Sequence, residues 1–296
     1  MDKNFTIRII ENNEFSKVTN WARLEGFAPG LDDISIYKNT DNQGIWVGCL
    51  NEEPIGSIAC VKYNADYAFI GLFIVRKEFR NKGYGISLWK HALNYLSDVD
   101  CIGLEAAPNR LQDYKSWGFL ISSKTNRWKL FGYNNLLKKN FYKNSQYEFR
   151  VVPGDQISSD AVLNYDSQRE PSPRPHFLND WLRNSFGMVY ALVDKNGMCH
   201  GFGRIRPCIL EDNKQGLRIG PLLADTPPLA ELLIRKLVGN LESEIFLDCS
   251  SLNPYANYLL ANLGFNEVSS TYRMYKGIQP PIAMNQVYGL ACLELG

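Results

Sequence analysis

The sequence predicts an α/β protein built from two similar halves. Residues 44–75 contain three runs of apolar or alternating residues separated by turn residues, which is the pattern of an antiparallel meander of strands. Residues 84–96 carry apolar side chains at helical spacing and therefore predict an amphipathic helix after those strands. In each half a short predicted helix ends in Gly-Phe, within residues 115–119 and 261–265. Because both halves follow the same order of strands and helices, we infer a tandem duplication.

Length and composition agree with two domains. The chain has 296 residues, which is long for one compact domain. It is 45% hydrophobic and 21% charged, which is the balance of an ordinary globular protein. Its 32 basic and 31 acidic side chains leave a net charge of +1, whereas a dedicated nucleic-acid binder needs a basic excess to neutralise phosphates. We therefore expect no nucleic-acid partner.

The first half is predicted to begin with a strand and a helix. Pro29 and Gly30 end that helix, because proline removes a backbone donor and glycine permits a chain reversal. The meander and the amphipathic helix follow, and then come a short strand, a short helix and a last strand. In chain order these elements are the strand 7–10, the helix 14–25, the strands 44–50, 55–63 and 67–75, the helix 84–96, the strand 101–104, the helix 111–117 and the strand 126–131.

The segment 133–148 is interpreted as a connector between domains. Its composition shifts to Asn, Lys and Tyr, and Lys138, Lys139 and Lys143 make it basic. We expect one domain at residues 1–142 and a second at residues 146–296. The elements predicted for the second domain are the strand 149–152, an interrupted helical region 158–184, the strands 188–193, 201–206 and 217–223, the helix 228–241, the strand 245–248 and the helix 254–262.

The cysteines and the apolar segments indicate the cellular compartment of the protein. The number of cysteines is odd, their spacing is irregular and no Cys-x-x-Cys pair occurs, which is typical of buried free thiols in a reducing cytosol. The N-terminus lacks the apolar core of a signal peptide, and no apolar run approaches the length of a membrane span. The three histidines have no partner at metal-ligand spacing. We expect a cytoplasmic protein with no metal and no membrane contact. The cysteines are Cys49, Cys60, Cys101, Cys199, Cys208, Cys249 and Cys292.

The most informative motif is the sequence RNKGYG at residues 80–85. It joins an apolar strand that ends at Val75 to the amphipathic helix. A helix N-terminus leaves backbone N–H groups without partners, and glycines let the chain wrap an anion there. The motif lacks the Gly-Lys-Ser/Thr of a Walker A loop and the strand-adjacent glycine of a Rossmann fingerprint. It predicts a loop that binds a pyrophosphate. The alternative is that the glycines only allow the start of the helix to pack closely.

This strand, loop and helix, followed by a helix that ends in Gly118-Phe119, resemble the GNAT acetyltransferase superfamily. The resemblance covers the whole first half. It implies a mixed, mostly antiparallel, twisted sheet flanked by helices, with acetyl-CoA as cosubstrate. In this family the pantetheine binds the backbone of the strand before the loop, and the pyrophosphate binds the amides of the loop. The implied cofactor-binding residues are Phe73, Val75, Arg80, Asn81, Lys82, Gly83, Tyr84, Gly85 and Ile86.

Four further segments resemble a GNAT subgroup with a second, degenerate GNAT-like domain at the C-terminus. They are EGFAPG at residues 25–30, IGPLLAD at 219–225, RMYKG at 273–277 and GLACLELG at 289–296. Together they span almost the full length. The resemblance implies two tandem GNAT-like domains.

The second domain is expected to bind no cofactor in the usual way. Where the loop belongs, Pro227 and Pro228 donate no N–H, and Asp225 repels a phosphate. We expect this domain to help form the acceptor pocket instead. The family's cofactor-contacting asparagine has no clear counterpart in the first half, because Asn109 lies two residues closer to the Gly-Phe pair than usual.

Tyr114 is the predicted general acid. It stands four residues before Gly118, where many members of the family place the tyrosine that protonates the departing thiolate. A tyrosine with a pKa near ~10 keeps its proton at neutral pH. The alternative is a core aromatic on a short helix. The candidate bases are Glu25, Asp32, Asp33 and Glu105, each with a surface or capping role as its alternative.

The function that follows is an N-acetyltransferase. It would move an acetyl group from acetyl-CoA to an amine of a small-molecule or peptide-like acceptor by direct attack. An aminoacyl-tRNA-dependent transferase is one alternative, although the balanced charge disfavours it. A non-catalytic acyl-CoA-binding or interaction protein is the other, and Tyr114 argues against it.

Overall fold

The structure is a computed structural model that describes residues 4–136, 149–279 and 281–296. The expected domain boundary between residues 142 and 146, and the basic connector around it, lie outside the described residues.

The first half contains the predicted elements and one additional helix. Its elements are β1 (Phe5–Ile9), α1 (Phe15–Leu24), α2 (Asp33–Thr40), β2 (Ile45–Leu50), β3 (Glu53–Lys62), β4 (Tyr67–Val75), α3 (Tyr84–Tyr95), β5 (Cys101–Ala106), α4 (Leu111–Ser116) and β6 (Leu120–Phe131). The sequence analysis assigned no structure to α2. The helix has only 8 residues, and its buried residues include the charged Asp33 beside Ile34, Ile36 and Tyr37, so its apolar pattern is too short to mark an amphipathic helix.

The second half repeats this order and adds a short strand near its end. Its elements are β7 (Arg150–Pro153), α5 (Ser159–Ser167), α6 (Pro175–Arg183), β8 (Met188–Val193), β9 (Cys199–Ile209), β10 (Gln215–Ala224), α7 (Pro227–Val238), β11 (Glu244–Ser250), α8 (Pro254–Asn262), β12 (Asn266–Gly277) and β13 (Val287–Gly289). The prolines between α5 and α6 interrupt the helical region, as the sequence predicts, because they donate no backbone N–H.

All thirteen strands of the described residues belong to one sheet. The strand order is β1-β2-β3-β4-β5-β12-β6-β11-β10-β9-β8-β7, and β13 pairs with β10. The pairs β4–β5 and β10–β11 are parallel, and the remaining pairs are antiparallel. The predicted fold class, with a mixed and mostly antiparallel sheet in each half, is confirmed.

The two halves exchange their last long strands. β12 of the second half lies between β5 and β6, and β6 of the first half lies between β12 and β11. Each half is therefore completed by a strand of the other. Sequence periodicity reports which face of a strand is buried, but not which strand lies beside it, so the exchange had no signal in the sequence.

The parallel pairs separate part of the way along each half. β4 pairs with β5 from Tyr67 to Ile70, and then β4 is interrupted by a bulge at Leu72, whose φ is 46°. In the same way β10 pairs with β11 only as far as Ile219. Each half thus has a gap between two strands that run parallel and then diverge.

The gap in the second half is filled by the chain itself. β13 pairs with β10 at Leu222 and Leu223, just beyond the point where β10 leaves β11. The tail then crosses to β4, where a Cβ on Gly71 would lie 2.0 Å from the Glu294 carbonyl oxygen. Only glycine permits that approach. Among the described residues no strand pairs with β4 in the corresponding gap of the first half.

The largest apolar core lies between the two halves. It joins α1 and α2 of the first half to α5 and α6 of the second, with Tyr37 stacked 6.5 Å from Trp181. A second core packs α3 against the first half of the sheet through Leu88, Trp89 and Ala92. The sheet face that carries α1 and α2 is therefore enclosed between the halves, and the face that carries α3 supports the glycine loop.

Candidate active site

The glycine loop presents backbone donors at the start of α3. Gly83 caps this helix in the left-handed conformation, with φ of 89°, and Asn81 has φ of 61°. The first intrahelical bond runs from the Ser87 N–H to the Gly83 carbonyl over 3.2 Å, so the preceding N–H groups have no partner within the helix. A Cβ on Gly83 would meet nothing within 4 Å, so open space lies in front of the loop.

The end of β4 offers further backbone groups to the gap. The Arg76 N–H bonds to the Ile55 carbonyl of β3 at 2.9 Å. Because such bonds alternate along an antiparallel pair, the backbone groups of Phe73 and Val75 point away from β3 and into the gap that β5 has left. These are the two residues to which the family resemblance gives the pantetheine contacts.

Arg80 fixes the loop to its surroundings. Its Nε donates to the Val75 carbonyl oxygen at 2.8 Å, and its Nη2 donates to Glu25 Oε1 at 2.5 Å. Glu25 follows the last residue of α1. The carboxylate predicted as a base therefore lies at the edge of the loop, where it pairs with an arginine.

Tyr114 is enclosed in an aromatic cluster on the α3 side of the sheet. Its ring centroid lies 5.2 Å from that of Trp89 and 6.3 Å from that of Phe119. Burial raises the pKa of the Tyr114 hydroxyl to about 12. The hydroxyl therefore stays protonated at neutral pH, and it has no hydrogen-bond partner among the described residues.

Glu105 is held by three donors. Thr125 Oγ1 and Arg273 Nε donate to Glu105 Oε1 at 2.9 and 2.7 Å, and Thr271 Oγ1 donates to its Oε2 at 2.6 Å. Only 3% of the side chain is exposed. An acceptor occupied in this way has little capacity to take a proton from a substrate, so this arrangement favours an anchoring role over that of a base.

Asp33 and Asp32 are also engaged. Arg206 donates to Asp33 through Nε and Nη2 at 3.0 and 2.7 Å, and the Gly30 N–H adds a third bond at 2.9 Å. Burial by itself would raise the pKa of Asp33, but the charge and hydrogen bonds of Arg206 outweigh it and hold that pKa below its ordinary value. Asp32 accepts a bond from Asn184 Nδ2 at 2.9 Å.

The segment 25–30 is bound by arginines that the sequence analysis did not single out. Arg127 Nη1 lies 3.2 Å from the Gly26 carbonyl oxygen, and Arg218 Nη1 lies 3.1 Å from that of Ala28. Asp248 holds both guanidinium groups, at 2.7 Å from Arg127 Nε and 2.8 Å from Arg218 Nη2. Arg218 gives a sequence signal as a charged residue in a largely apolar strand, whereas Arg127 lies in a strand with other charged and polar residues and gives none.

In the second half, hydrogen-bonded side chains occupy the position that corresponds to the glycine loop of the first half. Asp225 Oδ1 accepts bonds from the Tyr165 hydroxyl at 2.7 Å and from Arg169 Nη2 at 2.9 Å, and its Oδ2 lies 2.8 Å from His200 Nδ1. Pro227 opens the helix that follows. A negative charge with fixed partners therefore occupies the position that corresponds to the glycine loop.

The described residues contain no candidate membrane-spanning helix and no candidate group of metal ligands. Over residues 4–136, 149–279 and 281–296 no helix has the length and apolar character needed to cross a membrane. Within the same ranges the acidic, histidine and cysteine side chains form no group of three or more that is placed to hold a metal ion.

Two family models match the chain. The model described as Acetyltransferase (GNAT) family matches residues 12–119, which include the glycine loop. The model described as Acetyltransferase (GNAT) domain matches residues 162–289. Together the two matches cover most of both halves.

A curated relative matches over nearly the whole length. The holothin acyltransferase of Pseudoalteromonas sp. (strain SANK 73390) is 27% identical to this chain over 285 residues, which make up 96% of this chain and 92% of that protein. The similarity therefore extends through both domains and their connection.

Solved structures share the tandem fold. A putative acetyltransferase from Pyrococcus horikoshii has a TM-score of 0.79 at 23% identity and covers 100% of this chain and 97% of its own. A tandem GNAT protein from the clavulanic acid biosynthesis pathway has a TM-score of 0.64 at 13% identity, over 92% of this chain and 98% of its own. With a GNAT model matching each half and an acyltransferase matching the whole, the chain belongs to the GNAT acetyltransferase family and is an acyltransferase with two GNAT-like domains.

Proposed function

We propose that the protein transfers an acetyl group from acetyl-CoA to an amine of a small-molecule or peptide-like acceptor by direct attack. The observation that carries this proposal is the difference between the two gaps in the sheet. The gap beside β4 lies next to the glycine loop and has no pairing strand among the described residues, whereas β13 occupies the gap beside β10. One cofactor site per chain follows.

The residues around the first gap fit coenzyme A. The amides from Asn81 to Ile86 supply donors for a pyrophosphate, aided by the positive end of the α3 dipole. The backbone groups of Phe73 and Val75 supply donors and acceptors for the amides of a pantetheine arm. We assign cofactor binding to residues 1–142 and acceptor binding chiefly to residues 146–296.

The chemistry requires an unprotonated amine and a protonated leaving group. The amine nitrogen forms a bond to the acetyl carbonyl carbon and releases a proton to water, the carbon–sulfur bond breaks, and the thiolate takes a proton from a donor that the solvent then reprotonates. We assign that proton to Tyr114, whose burial keeps it protonated until the thiolate develops. Glu25 and Glu105 each pair with an arginine, so we assign them positioning roles toward Arg80 and Arg273.

The acceptor is proposed by chemical class. The relative named holothin acyltransferase makes holothin one compound to test, together with a panel of small amines and amino-acid amides. Release of the CoA thiol, followed with a thiol reagent, identifies the acceptors that are turned over. Formation of an amide is then checked by mass spectrometry.

The cofactor site is tested by Gly83→Asp. This change adds a carboxylate at the proposed phosphate position, and like charges repel there. The matched control is Gly197→Asp, because Gly197 also has a positive φ of 81° and also has no atom within 4 Å of its Cβ position. We expect calorimetry to show one acetyl-CoA site per wild-type chain, strongly weakened in Gly83→Asp and kept in Gly197→Asp. Equal affinity in both variants refutes the proposed site.

A further inference from the structure

A narrow groove opens on the enclosed face of the sheet, where the two halves meet. Ser123 and Thr125 of β6 line one side of it, and Ser250 of β11 and Arg273 of β12 line another. Ser122 also lines it, and its remaining lining comes from the second half and includes Glu170, Ile282, Met284 and Leu290. The groove therefore combines hydroxyl groups, one arginine and one carboxylate with an apolar surface.

Arg273, which lines this groove, has an unused donor. The side chain is buried, with Nε bonded to Glu105 Oε1 and the guanidinium 4.8 Å from the ring centroid of Phe69. Nη1 lies 3.5 Å from the Tyr275 hydroxyl, but Nη2 has no hydrogen-bond partner. A buried guanidinium N–H without an acceptor costs free energy, which indicates that an oxygen of a ligand belongs beside it.

Glu170 adds a buried carboxylate to the wall of the groove. Its Oε1 lies 2.8 Å from Arg174 Nη2, which also donates to Asp166 Oδ1. A carboxylate oxygen has more than one lone pair, so Glu170 keeps the capacity to accept a further hydrogen bond. A cationic or neutral amine is the kind of group that supplies a further donor.

The groove begins next to the gap beside β4. Leu104 is the last residue of β5 that pairs with β4, and Glu105 follows it. Arg273 is the register partner of Glu105, so it lies one strand away from the gap, about 5 Å. Ser123 is the register partner of Arg273 on the next strand. The hydrogen bonds of Glu105 to Arg273 and Thr125 place these side chains on the same face of the sheet.

We propose that this groove is the acceptor pocket, and that it takes an amine which also carries a carbonyl or carboxylate oxygen on an otherwise apolar body. Arg273 Nη2 donates to that oxygen, Glu170 faces the amine end, and the apolar wall of the groove contacts the remainder. The inference rests on the function proposed above and gives it a substrate class. Both halves supply the pocket, which explains why their strands interlock at this place.

An amine fixed in the groove tests the proposal without knowledge of the natural acceptor. In Ser123→Cys a thiol replaces a hydroxyl that lines the groove, and peptide mass spectrometry distinguishes its alkylation from that of the seven native cysteines. Alkylation with 2-bromoethylamine leaves a short primary amine on that sulfur through a stable thioether. The control is Ser97→Cys, which is exposed just beyond the far end of the 12-residue helix α3, about 18 Å from its first turn.

On addition of acetyl-CoA, we expect the amine at position 123 to be acetylated and the amine at position 97 to remain free. Intact-mass and peptide mass spectrometry measure both. Ser122→Cys, which also lines the groove, is a second variant if Ser123→Cys is unstable. No acetylation at either groove position, or equal acetylation at position 97, overturns the proposal.

Calorimetry with acetyl-CoA on the same alkylated proteins separates the two proposals. If the cofactor binds and the groove amine is not acetylated, the pocket is wrong and the proposed cofactor site stands. If wild-type protein binds no acetyl-CoA, the proposed function itself fails.

The role of Arg273 is tested by protection of Ser123→Cys from alkylation. L-leucinamide and 3-methylbutylamine share an apolar body and an amine, but only the first has a carbonyl oxygen. At equal millimolar concentration we expect L-leucinamide to slow the alkylation several-fold more than 3-methylbutylamine does. Equal protection, or none from either compound, overturns the oxygen-binding role of Arg273 and with it the proposed substrate class.

Discussion

Several carboxylates that the sequence marks as candidate bases are paired with arginines in the folded protein. Glu105, Asp33 and Glu25 each accept hydrogen bonds from an arginine side chain. Such a pair occupies lone pairs of the carboxylate, which a general base needs in order to accept a proton. The position of a carboxylate near the expected thioester therefore does not by itself identify the base. The hydrogen-bond partners of that carboxylate must also be known.

Tyr114→Phe tests the proposed general acid. The change keeps the ring that packs on Trp89 and removes only the hydroxyl. Proton donation by a positioned side chain contributes ~10²–10⁴-fold, so we expect kcat to fall by at least ~10-fold, with acetyl-CoA affinity little changed. Steady-state kinetics with an identified acceptor and calorimetry measure the two effects. Near-normal kcat for Tyr114→Phe, with instability confined to Tyr114→Ala, assigns the residue to packing instead.

Glu170 is expected to make stability depend on pH. Burial raises the pKa of its carboxyl to about 7, with a further contribution from Asp166, although the charges of Arg174 and Arg273 oppose the shift. Because the folded pKa lies above the ordinary value, the stabilising contribution is complete below about pH 4.5 and is lost as the pH rises through 7. We therefore expect Glu170→Gln to raise the thermal midpoint at pH 8 and to leave it unchanged at pH 4.

The control for this pH dependence is Asp33→Asn. The pKa of Asp33 is lowered in the folded protein, so its contribution is present above the ordinary pKa and is lost as the pH falls. Its replacement should therefore lower the midpoint by nearly the same amount at pH 8 and pH 4, and by less only as the pH falls below about 3.8. A Glu170→Gln difference that does not change between these pH values contradicts the expectation.

At the scale of elements, the loop between α1 and α2 is held by arginines of β6 and β10. The carbonyl groups of Gly26, Phe27 and Ala28 accept these bonds, and Asp248 of β11 fixes both guanidinium groups. A loop without regular structure thus receives a defined position from strands that are distant in the sequence. This explains how the segment EGFAPG is held against the second half.

Asp248→Asn tests that arrangement. Removal of the charge leaves the buried Arg127 without its carboxylate partner and Arg218 with only Glu294, 3.7 Å away, and breaking such a buried pair typically costs ~3–5 kcal/mol. We expect urea unfolding to show a loss of that order in the free energy of unfolding. Asp212→Asn is the control, because Asp212 makes an exposed pair with Lys214, and it should leave the transition midpoint unchanged. Equal effects of the two changes would refute the anchoring role of Asp248.

At the scale of the whole molecule, the exchange of β6 and β12 makes the halves dependent on each other. Without β12, Glu105 would lose Arg273 and Thr271, and β5 would present an unpaired edge. Each half would then lack both a strand and the partners of a buried charge. Two domains related by duplication therefore act here as one folding unit.

Separate expression of the halves tests this dependence. We expect residues 4–136 alone to be aggregated or unfolded by circular dichroism, and to bind no acetyl-CoA. Co-expression with residues 149–296 should restore a soluble complex, because β12 then becomes available to pair with β5 and β6. A first half that folds alone and keeps full activity would contradict both the exchange and the acceptor role of the second half.

Local patterns sufficed for the order of elements and for the glycine loop. The bounds of β4 agree with the sequence at both ends, and α3 begins at Tyr84 as predicted. These features depend on neighbours within a few residues, through alternation, helical spacing and the conformational freedom of glycine. Tyr114 was placed by its distance from Gly118, which is also local.

By itself the sequence determined the α/β class, the tandem GNAT-like organisation and the position of the glycine loop. Only the tertiary structure decided the exchange of β6 and β12, the filling of the second gap by β13 and the partners of Glu105. The physical reason is that these strand pairings and buried ion pairs join residues that lie at least 64 positions apart in the sequence. A local periodicity does not indicate which distant strand pairs with a given strand, or which distant arginine pairs with a given carboxylate, in the fold of lowest free energy.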